Sequence, residues 1–445
     1  MKIRQLLLFG ISIIGIASVT AQEKISLTLD EAVKLAWTKS NEVTLADTKV
    51  NTKKYELQTV KNNQYPDFKV SGQYQRLTKA SVEMANADPD AAPLPAPDQL
   101  ILAQATASLP IFSGFKIQNS IKLSDNLYQA ENANAAKTKE DITMRVVNYY
   151  TALYKAQKTL DLLKENQKSA QQRVTDFIEL EKNGIIPRND LLKAQLLVSR
   201  TQLSIDEANN NLNNINFYLT TLLKLNPGTK LTVNESDFFT LKTENTPKSD
   251  APALENRKDL EAIHFQQKAN EANIKIAKAA YYPSISLLGG YTALDLKDIV
   301  TVKYAMNFGV GVSYDLGGIL KNKAHVKVAE SKALEVKNTE AILTDRIKVE
   351  VQKAIEDYDL AINQNIVYNE AVQQTSENYR IVKDKFDNGL SDTNDLVDAD
   401  VENLSAKINT ALSKATIIQK YYELLSTTGQ LSQTFNLPIA IGTKN

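Results

Sequence analysis

Tyr65-Pro66-Asp67-Phe68-Lys69-Val70-Ser71-Gly72-Gln73-Tyr74 alternates between two kinds of side chain. Successive residues of an extended chain point to opposite faces. Phe68, Val70, Gly72 and Tyr74 therefore share one side, while Lys69, Ser71, Gln73 and Gln75 share the other. Three later segments behave alike. Ile101, Ala103, Ala105, Ala107 and Leu109 oppose Leu102, Gln104, Thr106 and Ser108. Ile285, Leu287, Gly289 and Tyr291 oppose Ser284, Ser286, Leu288, Gly290 and Thr292. Tyr304, Met306, Phe308, Val310, Val312 and Tyr314 oppose Ala305, Asn307, Gly309, Gly311 and Ser313. Each segment is close to the ~9–11 residues of a tilted strand that spans a bilayer. An apolar outside, a polar inside and aromatics toward the ends are the pattern of an outer-membrane barrel. A half-buried soluble sheet alternates in the same way, so the strands alone leave both readings open.

Working outward, the chain repeats itself. Tyr282-Pro283-Ser284-Ile285-Ser286-Leu287-Leu288-Gly289-Gly290-Tyr291 echoes the opening segment. Asn183-Gly184-Ile185-Ile186-Pro187-Arg188-Asn189-Asp190-Leu191 is echoed by Asn388-Gly389-Leu390-Ser391-Asp392-Thr393-Asn394-Asp395-Leu396. Internal repeats of this kind set the architecture. A first repeat is expected over 22–226, with a helix, strands at about 65–75 and 100–110, a long helix over about 115–182 and another over about 188–226. A linker, 227–254, carries Pro227-Gly228, Pro247 and Pro252 and a short strand-like Leu231-Thr232-Val233. The second repeat, 255–431, has a helix, strands at about 283–292 and 304–314, a long helix over about 319–388 and another over about 392–429; a tail, 432–445, follows.

Thr28-x-x-Glu31 forms a capping box for a first helix expected to run to about Asn63. From Phe115 to Lys182 there is neither proline nor glycine, which at 1.5 Å per residue allows a rod of ~100 Å. Ile142, Val146, Tyr149, Leu153, Ala156, Leu160 and Leu163 alternate steps of four and three; Val397, Val401, Leu404, Ile408, Ala411 and Ala415 do the same. Such spacing keeps one seam toward a partner helix. Long rods beside alternating strands favour the membrane reading, because a half-buried soluble sheet does not explain them. Four strands are too few to close a barrel, since the smallest have about eight. Open strand edges are not tolerated in lipid. Several copies must then share one barrel, and three copies of four strands make twelve. The loops Arg76–Gln99 and Ala293–Lys303 are expected outside.

The N-terminus reads as a secretory signal peptide over 1–21: Lys2 and Arg4, an apolar run from Leu6 to Val19, then Val19-Thr20-Ala21 before Gln22. The chain has no cysteine, which excludes disulfides, thiolate metal sites and cysteine nucleophiles. With 52 basic and 52 acidic residues there is no electrostatic case for nucleic acid. His264 and His325 stand alone and read as helix-surface residues.

The chain resembles the TolC-like family of outer-membrane efflux proteins (outer-membrane factors). The likeness spans Leu27-Thr28-Leu29-Asp30-Glu31-Ala32 to about Leu431. It is carried by both Tyr-Pro strands, Leu109-Pro110-Ile111-Phe112-Ser113-Gly114, Tyr314-Asp315-Leu316-Gly317-Gly318 and both Asn-Gly breaks. The resemblance implies a mostly α chain with a β-barrel part. Three chains would complete a twelve-stranded barrel in the outer membrane, continued by a helical coiled-coil barrel through the periplasm. It implies a passive exit duct for a tripartite efflux pump or type I secretion system. An inner-membrane transporter and a periplasmic adaptor would be its partners, with no catalytic chemistry and no cofactor. The alternative from another class is a periplasmic coiled-coil scaffold or adaptor without a pore.

Lys385 to Asp400 reads K-F-D-N-G-L-S-D-T-N-D-L-V-D-A-D. Asn388-Gly389 suits a helix end, and Ser391 or Asp392 an N-cap. Asp395 and Asp398 are three apart, hence on one helix face. A three-fold assembly would repeat that face, and rings of acids select cations; a merely solvated face is the bland reading. A calcium loop lacks the required ligand spacing, and a hydrolase lacks a His or Arg companion. The resemblance implies that Asp395, Asp398 and, on the outer helix, Asp190 face the periplasmic gate. It implies that the turns at Asn183, Gly184, Asn388 and Gly389 dock the adaptor. It also marks a departure, because the family's Arg and Tyr that lock the entrance correspond here to Ser391 and Phe386.

Overall fold

The computed structural model describes residues 24–78, 95–226, 228–238 and 246–435. The leader 1–21, the middle of the loop Arg76–Gln99 and most of the tail 432–445 lie outside the described residues. β1 (Lys24–Leu27) leads into α1 (Leu29–Lys39) and α2 (Asn41–Asn62). β2 (Asp67–Arg76) and β3 (Gln99–Ser113) precede α3 (Lys116–Lys182), which is 67 residues long. α4 (Arg188–Leu222), β4 (Lys230–Val233), α5 (Ala251–Asn256) and α6 (Lys258–Lys278) come next. β5 (Ser284–Leu296), β6 (Val300–Ser313), the 72-residue α7 (Leu316–Asp387), α8 (Thr393–Thr427) and α9 (Leu431–Thr434) complete the chain.

Two expectations need correction. The helix expected from Thr28 to Asn63 is divided at Ser40, whose backbone turns extended (ψ 134°) while its N–H still closes onto Ala36 O. A serine can hydrogen-bond nearby backbone and so tolerates such a break, without the glycine or proline that would flag it in sequence. The capping box itself forms. Glu31 N donates to Thr28 Oγ1 at 3.2 Å and Thr28 N to Glu31 Oε2 at 2.9 Å, and these bonds hold the Glu31 carboxyl below its usual range. The second correction concerns Ala293–Lys303, which is not a loop. β5 and β6 stay paired to Leu296↔Val300 and are closed by the short turn Lys297–Ile299.

The described residues fall into two units, through both of which α3 and α7 run. One contains the antiparallel sheet, in order β2-β3-β5-β6. Its register aligns the sequence pattern across all four strands. Phe68 lies opposite Ala107, Ala107 opposite Gly289, and Gly289 opposite Phe308. The next row is Val70, Ala105, Tyr291 and Met306. Large side chains thus stand beside small ones on one continuous apolar face. That face is uncovered, with Phe308 91% and Val70 84% exposed. At the opposite end of the strands from the Lys297–Ile299 turn, Phe112 meets Phe115 and Tyr282 edge-on at 5.3 and 6.4 Å. Gly114 permits this join. Its φ is +61°, and a Cβ there would stand 2.5 Å from Ala279 O. In the same unit, Ala253 and Leu260 pack with Ile347 and Val351 of α7, and Ala46 and Val50 with Ala135 of α3.

The other unit holds the short parallel pair β1·β4 and a four-helix packing of α3, α4, α7 and α8. Tyr150 joins its pieces, donating from its hydroxyl to Leu27 O at 2.8 Å, accepting from Asn234 N at 3.1 Å and stacking on Phe238. The heptad seam is buried where α3 meets α4 and α8: Leu160, Leu163 and Ile205 pack with Leu404 and Ile408. Burying such side chains stabilises by ~1.5–3 kcal/mol each. Among the described residues, no helix is long and apolar enough to cross a membrane.

Candidate functional site at the paired turns

α3 and α7 end in the same way. Gly184 and Gly389 have φ of +72° and +75°. Gly184 N donates to Glu181 O and Ile185 N to Leu180 O, each at 2.9 Å. In the second turn Gly389 N donates to Phe386 O at 2.9 Å and Leu390 N to Lys385 O at 2.8 Å. This pair of bonds is the Schellman closure, which satisfies carbonyls that a helix end leaves open. The asparagines add a bond each, Asn183 Nδ2 to Glu179 O and Asn388 Nδ2 to Asp384 O, both at 2.7 Å. Ile185 and Leu390 project from the turns, 68% and 77% exposed.

α8 then starts on Asp392, whose Oδ1 accepts from Asn394 N at 2.8 Å and Asp395 N at 3.0 Å. Of the two N-cap candidates, Asp392 takes the role. Ser391 Oγ donates instead to Asp395 Oδ2 at 2.7 Å. Asp395 and Asp398 are both exposed, whereas Thr393, Leu396 and Ala399 between and beside them are buried. Asp190, at the start of α4, is not on that open face. Its Oδ2 accepts from buried Thr393 Oγ1 at 3.0 Å and its Oδ1 lies 3.6 Å from Lys193 Nζ. Lys193 Nζ also donates to Asn394 Oδ1 at 2.9 Å. The starts of α4 and α8 are therefore stitched to each other by polar bonds.

Phe386, which the resemblance sets against a locking Tyr, stacks on Phe177 at 5.5 Å in an apolar cluster with Leu191 and Ala194. A different polar link stands nearby, which sequence reading missed. Arg173 Nη2 of α3 donates to Asp400 Oδ2 of α8 at 3.0 Å and to the Tyr379 hydroxyl of α7 at 3.2 Å. Both Arg173 and Asp400 are only 8% exposed. Asn166 Nδ2 donates to Asp400 Oδ1 at 3.3 Å, so one carboxylate gathers groups from α3 twice. Asp400 is the last residue of the acidic stretch. It lies roughly 200° around the helix from Asp398, on the packed side. Only Arg173, remote in sequence, reveals its role. A cavity of about 450 Å³ adjoins the link, lined by Phe177, Leu180, Tyr379, Phe386 and Leu396. On its rim, the hydrogen bond from Lys383 to Asp387 raises the pKa of the lysine.

A family model described as outer membrane efflux protein matches residues 33–223 and again 251–430. The chain belongs to the outer membrane efflux protein family. The double match falls on the two halves that the repeated motifs define. This outer membrane efflux protein also shares its fold with solved channels. It is similar to CusC (17% identity, 90% of this chain and 92% of that one, TM-score 0.78). It is similar to the Campylobacter jejuni CmeC outer membrane channel (19%, 91% and 86%, TM-score 0.77). A third is the open state of the Neisseria gonorrhoeae MtrE outer membrane channel (16%, 91% and 89%, TM-score 0.72). No curated protein matches the chain in sequence. The family is one of efflux channels and not of enzymes.

Proposed function

We propose that three copies of this outer membrane efflux protein form one exit duct, gated at the periplasmic end of its helices and fed by an inner-membrane transporter through a periplasmic adaptor. The observation that carries the reading is the sheet. One face is a continuous apolar surface left open, and the outer edges of β2 and β6 have no strand beside them among the described residues. Lipid suits the face, and sister copies would satisfy the edges, because unpaired strand edges are costly in a bilayer. A periplasmic scaffold that stays in water leaves Phe68, Val70 and Phe308 unexplained.

Within this reading Asp395 and Asp398 line the entrance, with Asp190 behind them tying α4 to α8. Three copies would bring six carboxylates toward one axis, a device for cation preference. The turns at Asn183-Gly184 and Asn388-Gly389, with exposed Ile185 and Leu390, are the surfaces offered to the adaptor. The duct has no catalytic residue and no cofactor. Asp395→Ala with Asp398→Ala should lower cation selectivity and block by multivalent cations in single-channel recordings. Unaltered selectivity and block would remove these residues from the gate. Absence of unitary steps from purified wild type would remove the duct itself.

A further inference from the structure

The sheet changes the character of its two faces near the β5–β6 turn, and on β6 the change has a local cause. Thr292 pairs with Ala305, but the next pair is Leu294 with Val302. One residue of β5 thus spans two of β6, a bulge that includes Tyr304 at φ +61°. An extra residue shifts the alternation of a strand by one. Val302 and Val300 are thereby moved to the face that carries Thr292, Asn307 and Lys69, the polar face of the sheet. Register puts Leu102 and Leu100 of β3 there too, opposite Leu294 and Leu296. Six apolar side chains, Leu100, Leu102, Leu294, Leu296, Val300 and Val302, so occupy the end of a face that is elsewhere polar or small apart from Leu288.

The opposite face changes in the reverse sense at the same height. Arg76 pairs with Gln99, and Asp295 with Thr301, whose hydroxyl donates to Asp295 Oδ1 at 2.6 Å. Charged side chains on the lipid face are costly at bilayer depth and tolerated only near its edge. The level of Asp295 therefore lies at or beyond the rim of the apolar belt. Lipid contact cannot be what Leu100, Leu102, Leu294 and Leu296 are for, since they point away from that side.

Resting on the duct reading above, we propose that these six residues form, in three copies, an apolar collar inside the outer mouth of the channel. The collar makes the last step of the path selective. It disfavours small hydrated ions and holds solutes that carry apolar groups, because apolar surface removed from water is stabilised at ~25 cal/mol per Å². The acidic entrance and the apolar exit would then read different properties of one cargo, its charge and its hydrophobicity.

The test uses the full-length protein in planar bilayers, with tetramethylammonium and tetrabutylammonium added from the side of the β5–β6 turns. Both carry a single charge, so the acidic residues attract them alike, and alkyl length reports the collar. Wild type should hold the butyl ion about tenfold longer than the methyl ion, a difference within reach of a few buried methylenes. Leu102→Asn with Leu294→Asn and Val302→Asn should bring the ratio close to one while unitary steps persist. Steps with an unchanged ratio would overturn the collar and spare the duct; no steps from wild type would overturn both. A second measurement does not depend on the triple variant. The chain has no cysteine, so Leu294→Cys and Tyr291→Cys each accept one fluorophore. Nitroxide-bearing lipid should quench the label at 291 and leave the label at 294 bright. Equal quenching would place Leu294 against lipid and end the proposal.

Discussion

The turn at Asn183–Gly184 and the turn at Asn388–Gly389 share a backbone down to single hydrogen bonds, yet the helices that follow carry opposite charge patterns. After the first turn, Asp190 and Lys193 stand three apart and lie 3.6 Å from each other. After the second, Asp395 and Asp398 have the same spacing and the same sign. The buried positions around them match, Leu191 with Leu396 and Ala194 with Ala399. Packing constrains those sites, so the two halves retain alike residues there. The exposed sites are free to diverge, and one half has become a neutral, bonded brace while the other presents unneutralised acid. A duplicated scaffold has kept its core and divided its surface.

The largest expected effect tests the packed side of the second half. Arg173→Ala leaves Asp400 buried without its cation, which should cost about 3–5 kcal/mol in denaturant unfolding. Arg173→Met with Asp400→Leu should cost much less, since no charge is stranded. If the single variant costs no more than the double, Asp400 is not held as described. Next in size, Gly184→Ala and Gly389→Ala each force a Cβ into a left-handed backbone, at about 1–2 kcal/mol. An added Cβ meets nothing within 4 Å at either site, so the two costs should agree. Hydrogen exchange of the Ile185 and Leu390 amides reads them separately, and a gap of more than ~1 kcal/mol would break the equivalence of the turns. The smallest change is Asp398→Lys, which gives the second half the pattern of the first. It should stabilise the start of α8 by ~0.2–0.5 kcal/mol in thermal melts. It should also weaken cation selectivity, and a variant as cation-selective as wild type would separate the acid pair from conduction.

Much of this was legible in the chain. Period-two alternation placed the strands and their faces, because side-chain direction in a strand is a local property. Asn-Gly marked both helix ends, because only glycine adopts that backbone cheaply. The break at Ser40 was not legible, since serine neither forbids helix nor requires a turn. The pairing within Ala293–Lys303, expected as a loop, was not legible, because the bulge at Lys303 and Tyr304 breaks the alternation that marks the rest of β6. Asp400 could not be told from Asp395 and Asp398 by composition, although one is buried against Arg173 and the others are open.

What the sequence determined by itself was therefore the set of elements, the two-fold repeat and the amphipathic face of each strand, all consequences of backbone geometry over a few residues. Tertiary structure alone decided which acid is neutralised, which apolar rows change sides and how α4 is bonded to α8. The neutralised acid and the α4–α8 bonds depend on what residues distant along the chain bring within about 3 Å, a proximity at which one hydrogen bond or one desolvated charge outweighs local preference. The row that changes sides depends on where the pairing of β5 with β6 places its bulge.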